Sequence, residues 1–238
     1  MTELYLDRDL TYEFGLFGAT ADVKRDRIYF SKPDFGSEGI WALNPNSPTW
    51  QLDHVYPTDE APRSILYHPT TGRVYAAFGY IDEVWAFDPS DWTLLERIPT
   101  DHQDATRPGY GAHGLAALGQ CIFVSNYISE SVTAVVDGSC VERLGTGLVV
   151  PPAGPHGIYL PVVGRDLTSE RRIVTIPLSG RPEGMTGAGN ILLVTLSSED
   201  RVAVIDTETL TVVGQITIPG SCPHTAILAG DNWLSSAP

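Results

Sequence analysis

Polar residues of three types recur at one position of a repeated sequence pattern. His113, Glu183 and His224 each stand a few residues before a turn glycine, and His156 and Arg63 occupy two further copies with longer turns. If these copies are arranged radially, all five side chains point at one axis. Imidazole and carboxylate groups that converge there suit a divalent cation of borderline softness and leave positions open for water or substrate. The pattern therefore predicts a metal or catalytic site.

The residue types divide this predicted site into two roles. His113, His156 and His224 are predicted metal ligands, and Glu183 is the predicted fourth ligand or its hydrogen-bonding support. Zinc is the favoured ion, with calcium, iron and copper as alternatives. Arg63 cannot ligate a cation, and its rigid fork of donors suits a carboxylate or a developing oxyanion. We therefore assign Arg63 to catalysis rather than to metal binding.

A loop at residues 101–111 supplies candidates for proton transfer. It joins the second and third repeated units and is longer than the corresponding loops elsewhere. Asp101, His102 and Tyr110 lie in this loop, and each can act as an acid or a base. We expect the loop to form a lid over the predicted site.

The charge of the chain restricts its partners. The formal net charge is -14 and the isoelectric point is near 4.6. Such a chain is repelled by nucleic-acid phosphates and by anionic membrane surfaces, so we expect a small-molecule substrate, no nucleic acid and no membrane. The first residues lack a basic start and an apolar run, which predicts a cytoplasmic protein. The sequence does not indicate an oligomeric state.

The three cysteines are too few and too odd in number to predict a disulfide framework. Cys121 lies in an apolar segment and is expected to pack in the core. Cys140 lies in a Gly-Ser turn. Cys222 stands two residues before His224 and is the cysteine nearest to the predicted chemistry.

Frequent glycines and prolines separate short segments that are rich in β-branched and aromatic residues. This pattern predicts many short strands and few helices. Residues 63–100 contain four such segments joined by turns, and similar units recur along the chain. Repeats of this length with four strands each are typical of a β-propeller, so we predict one all-β domain over residues 1–238.

Two parts of the chain leave the number of blades open. Residues 224–234 supply only two strands, and segments within residues 3–14 are predicted to complete that blade and close the ring. The unit at residues 156–178 has room for a first strand and for Arg172-Ile-Val-Thr-Ile176, but it is short. The prediction is six blades with one incomplete, or five if this unit is not counted.

Several motifs resemble known families. The segments Val84-Trp-Ala-Phe-Asp-Pro-Ser90 and Val202-Ala-Val-Ile-Asp-Thr-Glu208 resemble YVTN and NHL propeller repeats, a likeness that extends over nearly the whole chain. The histidines at 113, 156 and 224 resemble those of peptidyl-hydroxyglycine alpha-amidating lyases, which implies a six-bladed propeller with zinc on its axis. Glu183 within Arg181-Pro-Glu-Gly184 resembles the calcium-binding glutamate of gluconolactonase-type propellers, for which Asn126 is a candidate partner.

Three functions are compatible with these features. The first is a metal-dependent lyase or a lactone- or ester-type hydrolase that acts on a small molecule at the mouth of the central channel. The second is a metal-dependent oxidative enzyme with histidine-bound iron or copper. The third is a non-catalytic propeller scaffold that binds another protein.

Overall fold

The described part of the chain consists of β-strands and turns. The structure is a computed structural model that describes residues 16–33, 38–48, 52–100, 111–138, 140, 171–229 and 232–236. Among these residues there is no α-helix, and hence no helix long and apolar enough to cross a membrane. The prediction of an all-β chain is confirmed.

The described residues include eighteen strands, which form five antiparallel sheets in chain order. The first sheet contains β1 (Gly18–Asp22), β2 (Arg27–Lys32), β3 (Gly39–Leu43) and β4 (Leu52–Pro57). The second contains β5 (Pro62–His68), β6 (Arg73–Phe78), β7 (Glu83–Phe87) and β8 (Leu94–Pro99). The third contains β9 (Ala112–Leu118), β10 (Cys121–Asn126), β11 (Ser131–Val136) and β12 (Arg172–Pro177). The fourth contains β13 (Pro182–Ala188), β14 (Ile191–Leu196), β15 (Arg201–Asp206) and β16 (Thr211–Thr217), and the fifth contains β17 (Thr225–Ala229) and β18 (Asn232–Ser236).

The first strands of successive sheets lie beside one another. β1 contacts β5, β5 contacts β9, β9 contacts β13, and β13 contacts β17. These five strands are therefore the inner strands around a common axis, and the later strands of each sheet lie progressively farther from it. This is the radial arrangement of blades in a β-propeller.

The hydrophobic core lies between the sheets. Side chains alternate between the two faces of a strand, and β6 shows the consequence. Val74, Ala76 and Phe78 pack against the first sheet, whereas Tyr75 and Ala77 pack against the third. Equivalent apolar layers join the third sheet to the fourth and the fourth to the fifth. Among the described strands, the inner strands of the second, third and fourth sheets are thus held by packing against both neighbouring sheets.

The turns follow the sequence signals that predicted them. Gly119 and Gly189 connect the first two strands of their sheets with positive φ angles of 58° and 61°, a conformation that glycine adopts at low cost. The turn between the last two strands of the second and fourth sheets begins at Asp88 and Asp206. In both cases the aspartate carboxylate accepts backbone N–H bonds from residues two positions later.

The unit at residues 156–178 does not form a separate sheet within the described residues. Its predicted strand around Arg172–Ile176 is instead β12, which pairs with β11 as the outer strand of the third sheet. The described strands form four complete sheets and one two-stranded sheet, which is the number of blades that the five-bladed alternative predicts. The segments within residues 3–14 that were expected to close the ring lie outside the described residues.

The prediction that Cys121 packs in the core is confirmed, but the sequence did not predict its disulfide bond. Cys121, at the start of β10, forms a disulfide with Cys140, nineteen residues later and just beyond β11. The backbone carbonyl of Cys140 also accepts a hydrogen bond from Thr207 Oγ1 at 3.3 Å, which links the third sheet to the fourth. The third cysteine, Cys222, is exposed and free.

Candidate functional site

The predicted axial residues occupy equivalent positions on neighbouring inner strands. Arg63, His113 and Glu183 are the second residues of β5, β9 and β13, and His224 immediately precedes β17. In each of the three strands the pairing register shifts at this point, which is the signature of a β-bulge. Bulges re-aim side chains at the ends of sheets. We call Arg63, His113, Glu183 and His224 the axial set.

The glycines that follow two of these residues have a steric function. A Cβ atom at Gly114 would lie 2.3 Å from the carbonyl oxygen of Glu183, and one at Gly184 would lie 2.4 Å from that of His224. Both distances are far below van der Waals contact. Glycine therefore lets the backbone of the next axial residue approach closely, which brings neighbouring axial side chains together.

Glu183 and His224 form a hydrogen-bonded pair across the interface between the fourth and fifth sheets. Nδ1 of His224 is bonded to Oε2 of Glu183. Because a carboxylate can only accept, the imidazole donates from Nδ1, and the neutral form of such a ring carries its lone pair on Nε2. The Glu183 side chain is 14% exposed and that of His224 is 50% exposed, so the carboxylate lies beneath a ring that solvent or a ligand can reach.

His113 lies within electrostatic reach of the rest of the axial set. Burial lowers the pKa of His113 from its ordinary value of 6.5; the Glu183 carboxylate opposes this effect, and the charges of Arg63 and His224 reinforce it. The ring also packs against Tyr127, with the centroids 5.8 Å apart. At neutral pH His113 is therefore an uncharged imidazole beside an ionisable pair.

Arg63 is held between aromatic rings. Its guanidinium carbon lies 5.4 Å from the centroid of the Phe17 ring and 5.2 Å from that of the Tyr80 ring. Nη2 also donates to the Tyr80 hydroxyl at 3.0 Å. These contacts restrict the guanidinium and favour a fixed orientation for binding a planar anion.

The aromatic neighbours of the axial set were missed by the sequence analysis. Phe17 precedes Gly18 as His113 precedes Gly114, so the repeated dipeptide could have identified it. Tyr80 and Tyr127 carried no such signal, because each follows the second strand of its sheet and reaches the axial set only in the folded structure. Arg181 lies over Tyr127 at 5.4 Å from the ring centroid.

The described residues do not by themselves form a metal site. No group of three or more histidine, cysteine, aspartate or glutamate side chains in the described ranges is arranged to hold an ion. Glu183 and His224 are hydrogen-bonded to each other, and the third predicted histidine ligand, His156, lies outside the described residues. The expectation of a divalent cation therefore stays a prediction.

The remaining predicted site residues have separate outcomes. Asp101, His102 and Tyr110, the proposed lid residues, lie outside the described residues. Asn126 is buried at the end of β10, where its Nδ2 donates to Ser131 Oγ at 3.1 Å and to Thr133 Oγ1 at 2.8 Å. Both hydrogen bonds that the Asn126 amide nitrogen donates are therefore made within the third sheet.

The order of the sheets and the convergence of their inner strands define this chain as a β-propeller protein with ionisable side chains at one end of the axis. No protein-family model matches the chain, and its sequence matches no curated protein. Solved structures do match, and they support the same fold.

Three similar structures illustrate this likeness. Virginiamycin B lyase from Staphylococcus aureus is 13% identical, with a TM-score of 0.65 over 94% of this chain and 63% of that one. A streptogramin B lyase is 14% identical, with a TM-score of 0.62 over 89% of this chain and 58% of that one. The β-propeller domain of Cps50 (Swd1) from Myceliophteria thermophila is 13% identical, with a TM-score of 0.60 over 94% of this chain and 64% of that one.

This chain spans less than two thirds of the length of each of these structures. The TM-scores of 0.60–0.65 show a shared fold, at sequence identities of only 13–14%. They do not carry function, because propellers host unrelated activities and each activity depends on the side chains of its site.

Proposed function

We propose that this chain is an enzyme that cleaves a small molecule at the axial set by acid–base chemistry, with His224 as the base. The observation that supports this most directly is the hydrogen bond between His224 and Glu183. A carboxylate that holds Nδ1–H of an imidazole fixes the tautomer, leaves Nε2 free to accept a proton, and stabilises the imidazolium that results.

The electrostatics of the neighbouring residues support the same assignment. His113 is uncharged at neutral pH because of its lowered pKa, so it can donate a hydrogen bond to a substrate carbonyl without repelling the imidazolium of His224. Arg63 provides a permanent positive charge near the same place, held by Phe17 and Tyr80. A group that becomes anionic during cleavage would be stabilised there.

A lyase reaction on an ester or a lactone fits these roles. Nε2 of His224 would take a proton from the carbon beside a substrate carbonyl, and the bond between the next carbon and the ester oxygen would break. The electron pair of the C–H bond would form the new carbon–carbon double bond, the departing carboxylate would bind Arg63, and His224 would return the proton to solvent. The products are an alkene and a carboxylate, so the atoms balance without a further reactant. Two of the similar structures are described as lyases, which makes this the first reaction to test.

Hydrolysis is the alternative with the same residues. Nε2 of His224 would then take a proton from water, which attacks the carbonyl while His113 and Arg63 stabilise the oxyanion. The two reactions differ in product mass. Elimination in a cyclic ester leaves the mass unchanged, whereas hydrolysis adds one water.

The experiment is a turnover screen with mass-spectrometric detection. Virginiamycin B, simple lactones and linear carboxylate esters would be incubated with the wild-type protein and with Glu183→Gln. We expect at least one class to be consumed by the wild type and to be spared by the variant. If no substrate is consumed, or if both proteins consume it equally, the proposal is wrong.

Dependence on a divalent metal is a separate part of the proposal. The described residues supply Glu183, His224 and His113, and an ion would need a further ligand such as His156. We therefore derive no step through a metal. Metal analysis of untagged protein, with turnover before and after chelation, tests this part: stoichiometric zinc would support it, and full activity in metal-free protein would exclude it.

A non-catalytic scaffold is the second candidate, and the outer edge of the fourth sheet favours it. β16 has no charged residue and no proline, and Val212 and Val213 on it are 37% and 58% exposed. The other outer strands, β4, β8 and β12, each carry charges or a proline, which discourage pairing with another chain. Strand addition by an extended peptide at β16 would be lost in Val213→Lys and retained in Glu183→Gln, with no turnover in the screen.

A cytoplasmic localisation is predicted from the sequence. The disulfide between Cys121 and Cys140 argues against this prediction. Disulfides persist mainly in oxidising compartments.

A further inference from the structure

Two buried hydroxyl groups connect the third, fourth and fifth sheets beneath the axial set. Ser125 Oγ accepts a hydrogen bond from the Gly114 N–H at 2.7 Å and donates to the carbonyl oxygen of Glu183 at 2.8 Å. One sheet farther on, Thr195 Oγ1 accepts from the Gly184 N–H at 2.9 Å and lies 3.1 Å from the carbonyl oxygen of His224. Both side chains are fully buried.

The β-bulges explain why these hydroxyls are needed. The register shift in the third sheet falls opposite Ser125, and that in the fourth sheet falls between Pro182 and Met185, opposite Thr195. A bulge removes backbone groups from the ladder, and a buried N–H without a partner is costly. Each hydroxyl satisfies the glycine N–H of its own sheet. Ser125 donates its own proton to the next sheet, whereas the single proton of Thr195 is shared between two carbonyl oxygens at 3.1 Å, that of Gly184 in the same sheet and that of His224 in the next.

The acceptors are the backbones of the two residues that form the axial pair. A carbonyl bound to a fixed donor restrains the Cα of the same residue, and therefore the point from which its side chain starts. Ser125 restrains Glu183, and Thr195 restrains His224. The backbones of both residues of the Glu183–His224 pair are thus restrained by hydrogen bonds from the buried hydroxyls.

The other two complete sheets provide an internal comparison. In the second sheet, the position that corresponds to Ser125 and Thr195 is Ala77, which pairs with Ser64. In the first sheet it is Ser31, which pairs with Gly18. Ala77 has no hydroxyl, and Ser31 Oγ is buried without a hydrogen-bond partner within the described part of the chain. Among the four complete sheets, the bonded hydroxyl therefore occurs only in the two that precede Glu183 and His224.

We propose that Ser125 and Thr195 are positioning residues that set the Glu183–His224 hydrogen bond by holding the backbone of each partner. Their effect on turnover rests on the proposed function, whereas their effect on the pair does not. Loss of either hydroxyl should let the axial residue move relative to its partner, and displacements of this kind can reduce turnover by about 100-fold.

The test uses Thr195→Val, which keeps the shape of the side chain and removes the hydroxyl, with Thr195→Ser as the conservative variant. Imidazole nitrogen NMR reports the tautomer of His224 directly. We expect the wild type to show a single tautomer protonated at Nδ1, Thr195→Val to show a mixture, and Thr195→Ser to restore the single form. Turnover should follow the same order, with kcat reduced about 10- to 100-fold and KM little changed.

Ser31→Ala is the matched control, because it removes a buried hydroxyl at the same position of another sheet. It should leave the tautomer and kcat unchanged. If Thr195→Val does not fold, Ser125→Ala provides the same two measurements through Glu183. A variant that lowers the melting temperature but leaves the single Nδ1-protonated tautomer would overturn the proposal.

The outcome also separates this inference from the proposed function. A tautomer mixture in Thr195→Val without any detectable turnover of the wild type would support the positioning role and reject the enzymatic one. An unchanged tautomer in Thr195→Val, together with turnover that depends on Glu183, would do the reverse.

Discussion

Glu183 and His224 are hydrogen-bonded to each other although they belong to different sheets and are 41 positions apart in the sequence. The bond exists because both residues stand at the same place on adjacent inner strands, and because Gly184 lets the backbone of His224 approach within a distance that a Cβ would block. It joins a largely buried carboxylate to a half-exposed imidazole. Four predictions depend on this arrangement and on the structure around it.

Replacement of the carboxylate should abolish most activity. Glu183→Gln keeps the size of the side chain but removes the charge that stabilises a protonated His224, so kcat should fall by about 10²- to 10⁴-fold. Glu208→Gln, an equal change of charge at an exposed turn between β15 and β16, is the control. Equal kcat values for the two variants would show that Glu183 has no role in proton transfer.

Replacement of Arg63 should weaken the reaction without unfolding the protein. Arg63→Ala is expected to lower kcat/KM by about 10²-fold or more, because the stabilisation of a developing anion is lost. It should leave any metal content unchanged. Tyr80→Phe retains the ring beneath the guanidinium but loses the 3.0 Å hydrogen bond, and it should have a smaller effect. A lower melting temperature with normal kinetics would instead make Arg63 structural.

Acid should destabilise the fold through the buried His68 and the partly buried His113. Burial lowers the pKa of both His113 and His68 below 6.5. As the pH falls below 6.5, the unfolded chain therefore binds protons that the folded chain does not yet accept, and the free energy of unfolding decreases until the folded-state pKa is reached. In urea titrations between pH 7 and pH 5, the free energy of unfolding of His113→Gln and of His68→Gln should each decrease less with falling pH than that of the wild type. His54→Gln, at an exposed site, is the control. If neither His113→Gln nor His68→Gln changes the dependence of the free energy of unfolding on pH, the prediction is wrong.

Reduction of the disulfide should lower stability. The Cys121–Cys140 bond closes a loop with a sequence separation of 19, so its loss should reduce the free energy of unfolding by about 2–4 kcal/mol. Cys222→Ser should not change stability, because Cys222 is exposed and free. Thiol titration of the unfolded, non-reduced protein should detect one thiol per chain, and three after reduction. Three thiols before reduction would show that the bond does not form.

The sequence alone determined the class of fold and the position of the axial set. Short β-rich segments between glycine and proline turns predicted the strands, because local propensity and turn chemistry act over a few residues. The repeated position of Arg63, His113, Glu183 and His224 predicted that these residues face one axis, because equivalent positions of a repeat occupy equivalent places in a propeller.

Only the tertiary structure decided which of these residues interact. Arg172–Pro177 could not be assigned to the third sheet from the sequence, because strand pairing across a long connection leaves no local signal. The same applies to the Cys121–Cys140 bond, to Tyr80 beneath Arg63, and to the hydroxyls of Ser125 and Thr195. The first three depend on how strands pair within one sheet, and the bonds of Ser125 and Thr195 depend on the distance between neighbouring sheets, which the side chains packed between those sheets set.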